Sequence, residues 1–113
     1  MYSPPWGLTA EQQPHLQLWR EATQSAHKLA LVYSDAQGRS SARTVWPLGS
    51  FFWGAVWTLV AWCEKRQDFR SFRLDRIQSM AGLPQAFRLA DGQRLIDYLR
   101  QQGVDPLALA EGR

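Results

Sequence analysis

Between Lys65 and Ile77 the chain interleaves cations with aromatic rings: Lys65-Arg66-Gln67-Asp68-Phe69-Arg70-Ser71-Phe72-Arg73-Leu74-Asp75-Arg76-Ile77. A guanidinium neutralises phosphate and a ring stacks on any base with little sequence preference. Side by side, the two suit a nucleotide or a single-stranded nucleic acid. On an extended strand Arg70, Phe72, Leu74 and Arg76 share one face, and Ser71, Arg73, Asp75 and Ile77 the other. The competing reading keeps Phe69, Phe72 and Leu74 in the core and pairs Asp68 and Asp75 with neighbouring Arg at the surface. Composition leans toward anion contact: thirteen Lys and Arg against ten Asp and Glu give a formal charge of +3, and eleven of those cations are Arg. A merely solvated face would be served equally by Lys, whereas Arg binds phosphate bidentately and stacks on rings.

No catalytic constellation accompanies this segment. The two histidines, His15 and His27, lie on or beside one predicted helix with no nucleophile or ligand at working spacing. The zinc-protease, nucleophile-elbow, phosphate-loop and paired-cysteine patterns are absent. The expectation is a non-enzyme with no cofactor and no metal. Cys63 is the single cysteine, which excludes an internal disulfide and fits a reducing, cytoplasmic setting. Met1 to Pro5 has neither the basic start nor the apolar stretch of a signal peptide. The most apolar run, Leu48 to Cys63, falls short of the roughly 20 residues a spanning helix needs, so no membrane contact is expected.

The elements that must hold these residues follow from periodicity. At 113 residues there is room for one modest core. Residues 1–13 read as a flexible lead-in or interdomain linker, with Pro4 and Pro5 against regular structure and a Thr9 to Gln12 capping pattern weakened by Pro14. From Pro14 a helix is predicted, its core stripe formed by Leu18, Trp19, Ala22, Ala26 and Leu29. After Lys28 the period becomes two, giving a first strand through Tyr33, an Asp35-Ala36-Gln37-Gly38 turn and a partner strand from Ser40 to Trp46, ended by Pro47. A second hairpin, Ser50 to Trp53 and Ala55 to Cys63, turns around Gly54. Its second strand is apolar on both faces and therefore central. Two short strands, Phe69 to Leu74 and Arg76 to Ala81, follow. Asp91 is expected to cap a last helix over Gln93 to Gln101, stopped by Gly103, with a fraying tail beyond Pro106. The fold class is mainly β with flanking helices, one N-terminal and one C-terminal. Its five or six mostly antiparallel strands would be buried most easily by curling into a barrel.

The order of these motifs resembles the WYL domain. The resemblance rests on Val56-Trp57-Thr58-Leu59-Val60-Ala61-Trp62, Arg66 and Asp68 to Ile77, preceded by Tyr33, the 35–38 turn and Arg43-Thr44-Val45-Trp46-Pro47-Leu48. It covers residues 14–88, leaving 89–113 as a C-terminal helix and tail. The family's name-giving Trp-Tyr-Leu reads Trp57-Thr58-Leu59 here, a departure found in its YafY-like branch. The resemblance implies a small Sm-like, SH3-type β-barrel serving as the regulatory domain of a bacterial helix-turn-helix transcription regulator. It also implies a negatively charged ligand, and DNA contact through a helix-turn-helix domain that this chain does not show. Carried over position by position, the implied ligand-binding residues are Tyr33, Arg43, Arg66, Arg70, Arg73 and Arg76, with Trp57 as a candidate ring surface whose apolar flanks favour a place in the core. An alternative is an oligomerisation module, such as a homodimer, because Trp6, Trp46, Trp53 and Trp62 exceed what so small a core readily hides.

Overall fold

The computed structural model describes residues 8–53 and 55–103. The expectations for the lead-in before residue 8, for Gly54 and for the tail after residue 103 fall outside these.

Helix α1 spans Gln12–Ser25. The Thr9 to Gln12 capping pattern does form: the Gln12 backbone N–H donates to Thr9 Oγ1 at 3.1 Å, and the Thr9 N–H donates to Gln12 Oε1 at 3.3 Å. Pro14 therefore lies in the first turn, where its missing N–H costs no helical bond. Leu16, Trp19 and Ala22 form the buried stripe. The predicted stripe ran too far: Ala26 is left-handed at φ 57 and closes the helix, and Leu29 belongs to the following strand. No glycine marks this stop, so periodicity alone overran it.

Five strands form one antiparallel sheet in the order β4-β3-β2-β1-β5. They are β1 (His27–Ser34), β2 (Ser40–Trp53), β3 (Val56–Cys63), β4 (Asp68–Arg73) and β5 (Ile77–Ala86), with a 3-10 turn, Leu74–Arg76, joining β4 to β5. The β1–β2 turn behaves as predicted, with Asp35 Oδ1 accepting the Gln37 and Arg39 N–H groups at 2.9 Å each and Gly38 at φ 81. Pro47 does not end its strand. β2 runs on to Trp53 because the register slips between Pro47 and Gly49, and this irregularity accommodates the missing donor. β4 and β5 are the two free edges and do not pair with each other, so the sheet is not closed by hydrogen bonds into the expected barrel.

Both faces of the sheet carry apolar clusters. On one, Leu29, Leu31, Tyr33, Val45, Leu59, Ala61 and Phe72 pack against Leu16, Trp19 and Ala22 of α1. On the other, Leu48, Val60 and Phe69 lie beneath Leu95 and Tyr98 of helix α2 (Leu95–Gln101). Asp91 does not cap α2. Arg94 is its N-cap, with its backbone N–H donating to Asp97 Oδ2 at 3.0 Å, and Asp91 instead accepts from the Arg94 guanidinium at 2.7 Å.

Trp46 is fully occupied. Its ring stacks on Phe87 with centroids 5.4 Å apart, and its N–H donates to Glu64 Oε2 at 2.8 Å. Lys28 Nζ reaches the same oxygen at 2.7 Å. The bond from Lys28, and after it the bond from Trp46, holds the Glu64 carboxyl below its ordinary value of 4.5. A carboxyl depressed by folding contributes stability above its unfolded pKa and loses it as the pH falls through the folded one. Glu64→Gln should therefore cost about 1 kcal/mol at neutral pH. In urea titrations the gap between parent and variant should narrow as the pH drops below about 4.5; a gap that does not narrow at all on acidification would remove this role from Glu64.

Candidate ligand-binding site

Strand register sorts the predicted residues by face. Arg43 lies opposite Leu31, Tyr33 opposite Ser41, and Arg70 opposite Ala61. Leu31, Tyr33 and Ala61 all belong to the cluster beneath α1, so Arg43 and Arg70 flank the core on that same side of the sheet. Each contributes a cation to the rim of that side.

Tyr33 organises this rim. It is buried, its ring meets Phe72 edge-on with centroids 5.0 Å apart, and its hydroxyl accepts the Arg73 backbone N–H at 3.2 Å. The side chain thus ties β1 to the end of β4 without any strand pairing between them. The Arg70 guanidinium lies over both rings, its Cζ 5.6 Å from the Tyr33 centroid and 5.2 Å from that of Phe72. It forms no ion pair among the described residues. Cation–π contact holds a guanidinium in place without neutralising it. Arg43 is half-buried. Its Nη1 donates to the Ala42 carbonyl at 3.1 Å, and its Nε is buried without a hydrogen-bond partner among the described residues. A buried donor left unpaired is unfavourable, which makes Arg43 receptive to an added acceptor.

The other predicted residues are distributed differently. Arg73 is held by Asp75 through Nε to Oδ1 at 3.1 Å and Nη2 to Oδ2 at 2.8 Å. This bond, ahead of the nearby charges of Arg73 and Arg76, lowers the Asp75 pKa, so Asp75 stays ionised. Arg76 sits in the 3-10 turn and precedes Ile77, the residue paired with Tyr33. The strand face predicted to carry Arg70, Phe72, Leu74 and Arg76 is broken there, because β4 ends at Arg73. Arg66 is exposed in the β3–β4 turn, at the opposite end of β4 from Arg73. Trp57 is half-buried, its ring 5.3 Å from that of Phe52, with the Arg20 guanidinium 5.3 Å from its centroid. Sequence reasoning missed Arg20 because it lies outside the buried stripe of α1, and only tertiary contact reveals its ring partner. It also missed that Phe72 is both core and platform.

Residues 14–81 match the family model of the WYL domain. This chain belongs to the WYL domain family. Over 88 residues, 78% of this chain, it is 31% identical to the uncharacterized HTH-type transcriptional regulator YobV of Bacillus subtilis (strain 168), and spans 28% of that regulator's length. Its fold is similar to part of proteasome accessory factor B/C (PafBC) of Arthrobacter aurescens, with TM-score 0.68 and 26% identity over 75% of this chain and 13% of the larger one. As a WYL domain, the chain is related to transcription regulators. Among the described residues no helix is long and apolar enough to cross a membrane, and no group of three or more His, Cys, Asp or Glu could hold a metal ion.

The hydroxyl of Tyr33 gives this arrangement a direct test. Tyr33→Phe keeps the ring beneath Arg70 but leaves the Arg73 N–H without its acceptor, and should cost about 1 kcal/mol in urea unfolding. A change within error would mean that water replaces the hydroxyl at no cost.

Proposed function

We propose that this WYL domain is the ligand-sensing part of a bacterial helix-turn-helix transcription regulator, and that its rim binds a negatively charged ligand, a nucleotide or a single-stranded nucleic acid. The observation that carries this reading is the presence, on the core side of the sheet, of two guanidiniums that form no ion pair among the described residues. Arg70 lies on the Tyr33 and Phe72 rings, and Arg43 carries a buried donor without a partner among the described residues. Phosphate oxygens supply the missing acceptors, and a planar guanidinium held in place by rings can itself stack on a base. Arg76 and Arg73 extend the basic track, with Arg73 reduced by its bond to Asp75. Arg66 and the Trp57 ring flank it at a greater distance along the chain. The five antiparallel strands match the number expected for the Sm-like, SH3-type barrel implied by the family, although their hydrogen bonds leave the sheet open. In this reading DNA is met by a helix-turn-helix domain outside this sequence, in the cytoplasm, and no cofactor takes part.

A second reading, an interaction module or homodimer, is favoured by one observation. β5 is a free edge, Ile77–Ala86, with no charged residue along it and Pro84 alone to discourage pairing with another strand. The tryptophans argue less for it, since Trp46 and Trp62 both pack on phenylalanines. Sedimentation at micromolar concentration separates the two: a strict monomer removes the second reading.

Titration of a fluorescent single-stranded oligonucleotide at low and moderate salt tests the first. Arg43→Ala with Arg70→Ala should weaken binding at least about 10-fold and reduce the salt slope by about 0.7 for each phosphate no longer neutralised. Equal affinity and slope in parent and double variant would overturn the assignment.

A further inference from the structure

We infer that the cavity between the start of α1 and the β4 to 3-10 corner is a second, small-ligand site, taking a compound with a single carboxylate. The cavity has a volume of about 200 Å³ and is bordered by Gln12, Trp57, Arg73, Leu74 and Asp75. That is room for about six waters at roughly 30 Å³ each, or one small organic acid. Its lining includes Arg73 and Trp57 from the outer reach of the basic track but neither Arg43 nor Arg70, and its argument does not depend on nucleic-acid binding.

Three features define what it takes. First, the Trp57 Nε1 is buried without a hydrogen-bond partner, a condition it shares among the described residues only with the Arg43 Nε. An indole N–H can only donate, so the group that completes it must be an acceptor. Second, the acid that borders the cavity is already engaged, because Asp75 receives both Nε and Nη2 of Arg73. That geometry turns the Nη1 edge of the guanidinium to other partners. Gln12 similarly uses its carbonyl oxygen on the Thr9 N–H, which leaves its amide nitrogen as a donor. Third, Arg20 lies against the Trp57 ring. Arg20 is not itself among the lining residues, but with Arg73 matched by Asp75 it adds positive charge beside the cavity, which suits a single carboxylate. A carboxylate offers two oxygens in one plane, enough to bridge an indole N–H and a guanidinium N–H.

The probe is sodium acetate, followed by sodium propionate, added to the isotope-labelled chain while the indole N–H resonances are recorded; sodium chloride at matched ionic strength is the control. The Trp57 signal, assigned through Trp57→Phe, should shift and saturate with a Kd on the order of 1 mM, as a ligand of a few atoms allows. Chloride should leave it in place. Gln12→Ala, which keeps the indole and removes one donor at the mouth of the cavity, should weaken the response several-fold. No saturable shift, a shift reproduced by chloride, or an equal response in Gln12→Ala would overturn the site. No nucleic acid enters the titration, so its outcome is independent of the rim.

Discussion

The irregularity at Pro47 to Gly49 in β2 is the joint on which both faces of the sheet depend. The fully buried Trp19 of α1 donates its indole N–H to the Gly49 carbonyl at 3.0 Å. On the opposite side, a Cβ at Gly49 would stand 3.1 Å from the Leu95 Cδ2 of α2, closer than nearly all real side-chain approaches. Any residue other than glycine at this position would carry a side chain where α2 now packs. Within the slipped register, the Gly49 carbonyl serves one helix and its missing side chain leaves space for the other. Gly49 thus ties both helices to β2, and through α1 bears on the depth of the cluster that holds Tyr33 and Phe72.

Much of this architecture was legible. Strict alternation in Leu29, Leu31 and Tyr33 reported a half-buried strand, and Asp35 with Gly38 reported the turn, because both signals are local. Apolarity on both faces of Val56 to Trp62 correctly placed that strand in the interior of the sheet, where α1 and α2 cover opposite sides. What failed was punctuation that depends on tertiary context. Pro47 reads as a stop unless a bulge excuses it, Ala26 does not read as a left-handed cap, and Asp91 reads as a cap although Asp97 completes the box from within the helix.

The site was legible in residue type but not in grouping. An Arg-rich, aromatic stretch marked the residues of the proposed anion site, yet alternation along one strand could not foresee that the 3-10 turn at Leu74–Arg76 would break the face. Nor could it foresee a tyrosine arriving from β1. The bond between the Tyr33 hydroxyl and the Arg73 N–H, 40 positions apart in sequence, is a long-range link that leaves no periodic trace.

Two arginines on one strand, Arg70 and Arg73, have different electrostatic roles, and the difference lies in their partners. Arg73 meets a carboxylate in bidentate geometry, so its field beyond a few ångströms is largely cancelled by Asp75. Arg70 meets ring faces, which attract the cation through their quadrupoles but carry no net charge, so its field reaches solvent undiminished. Holding a guanidinium rigid normally requires an acid that neutralises it. Rings remove that conflict, because they restrain the side chain and reduce the entropy lost when an anion arrives, while its charge remains available. The same reasoning explains why Phe72 must be both core and platform. A ring anchored in the cluster beneath α1 cannot tilt with its cation, so the position of Arg70 is set by the packing of the whole sheet and not by the local strand.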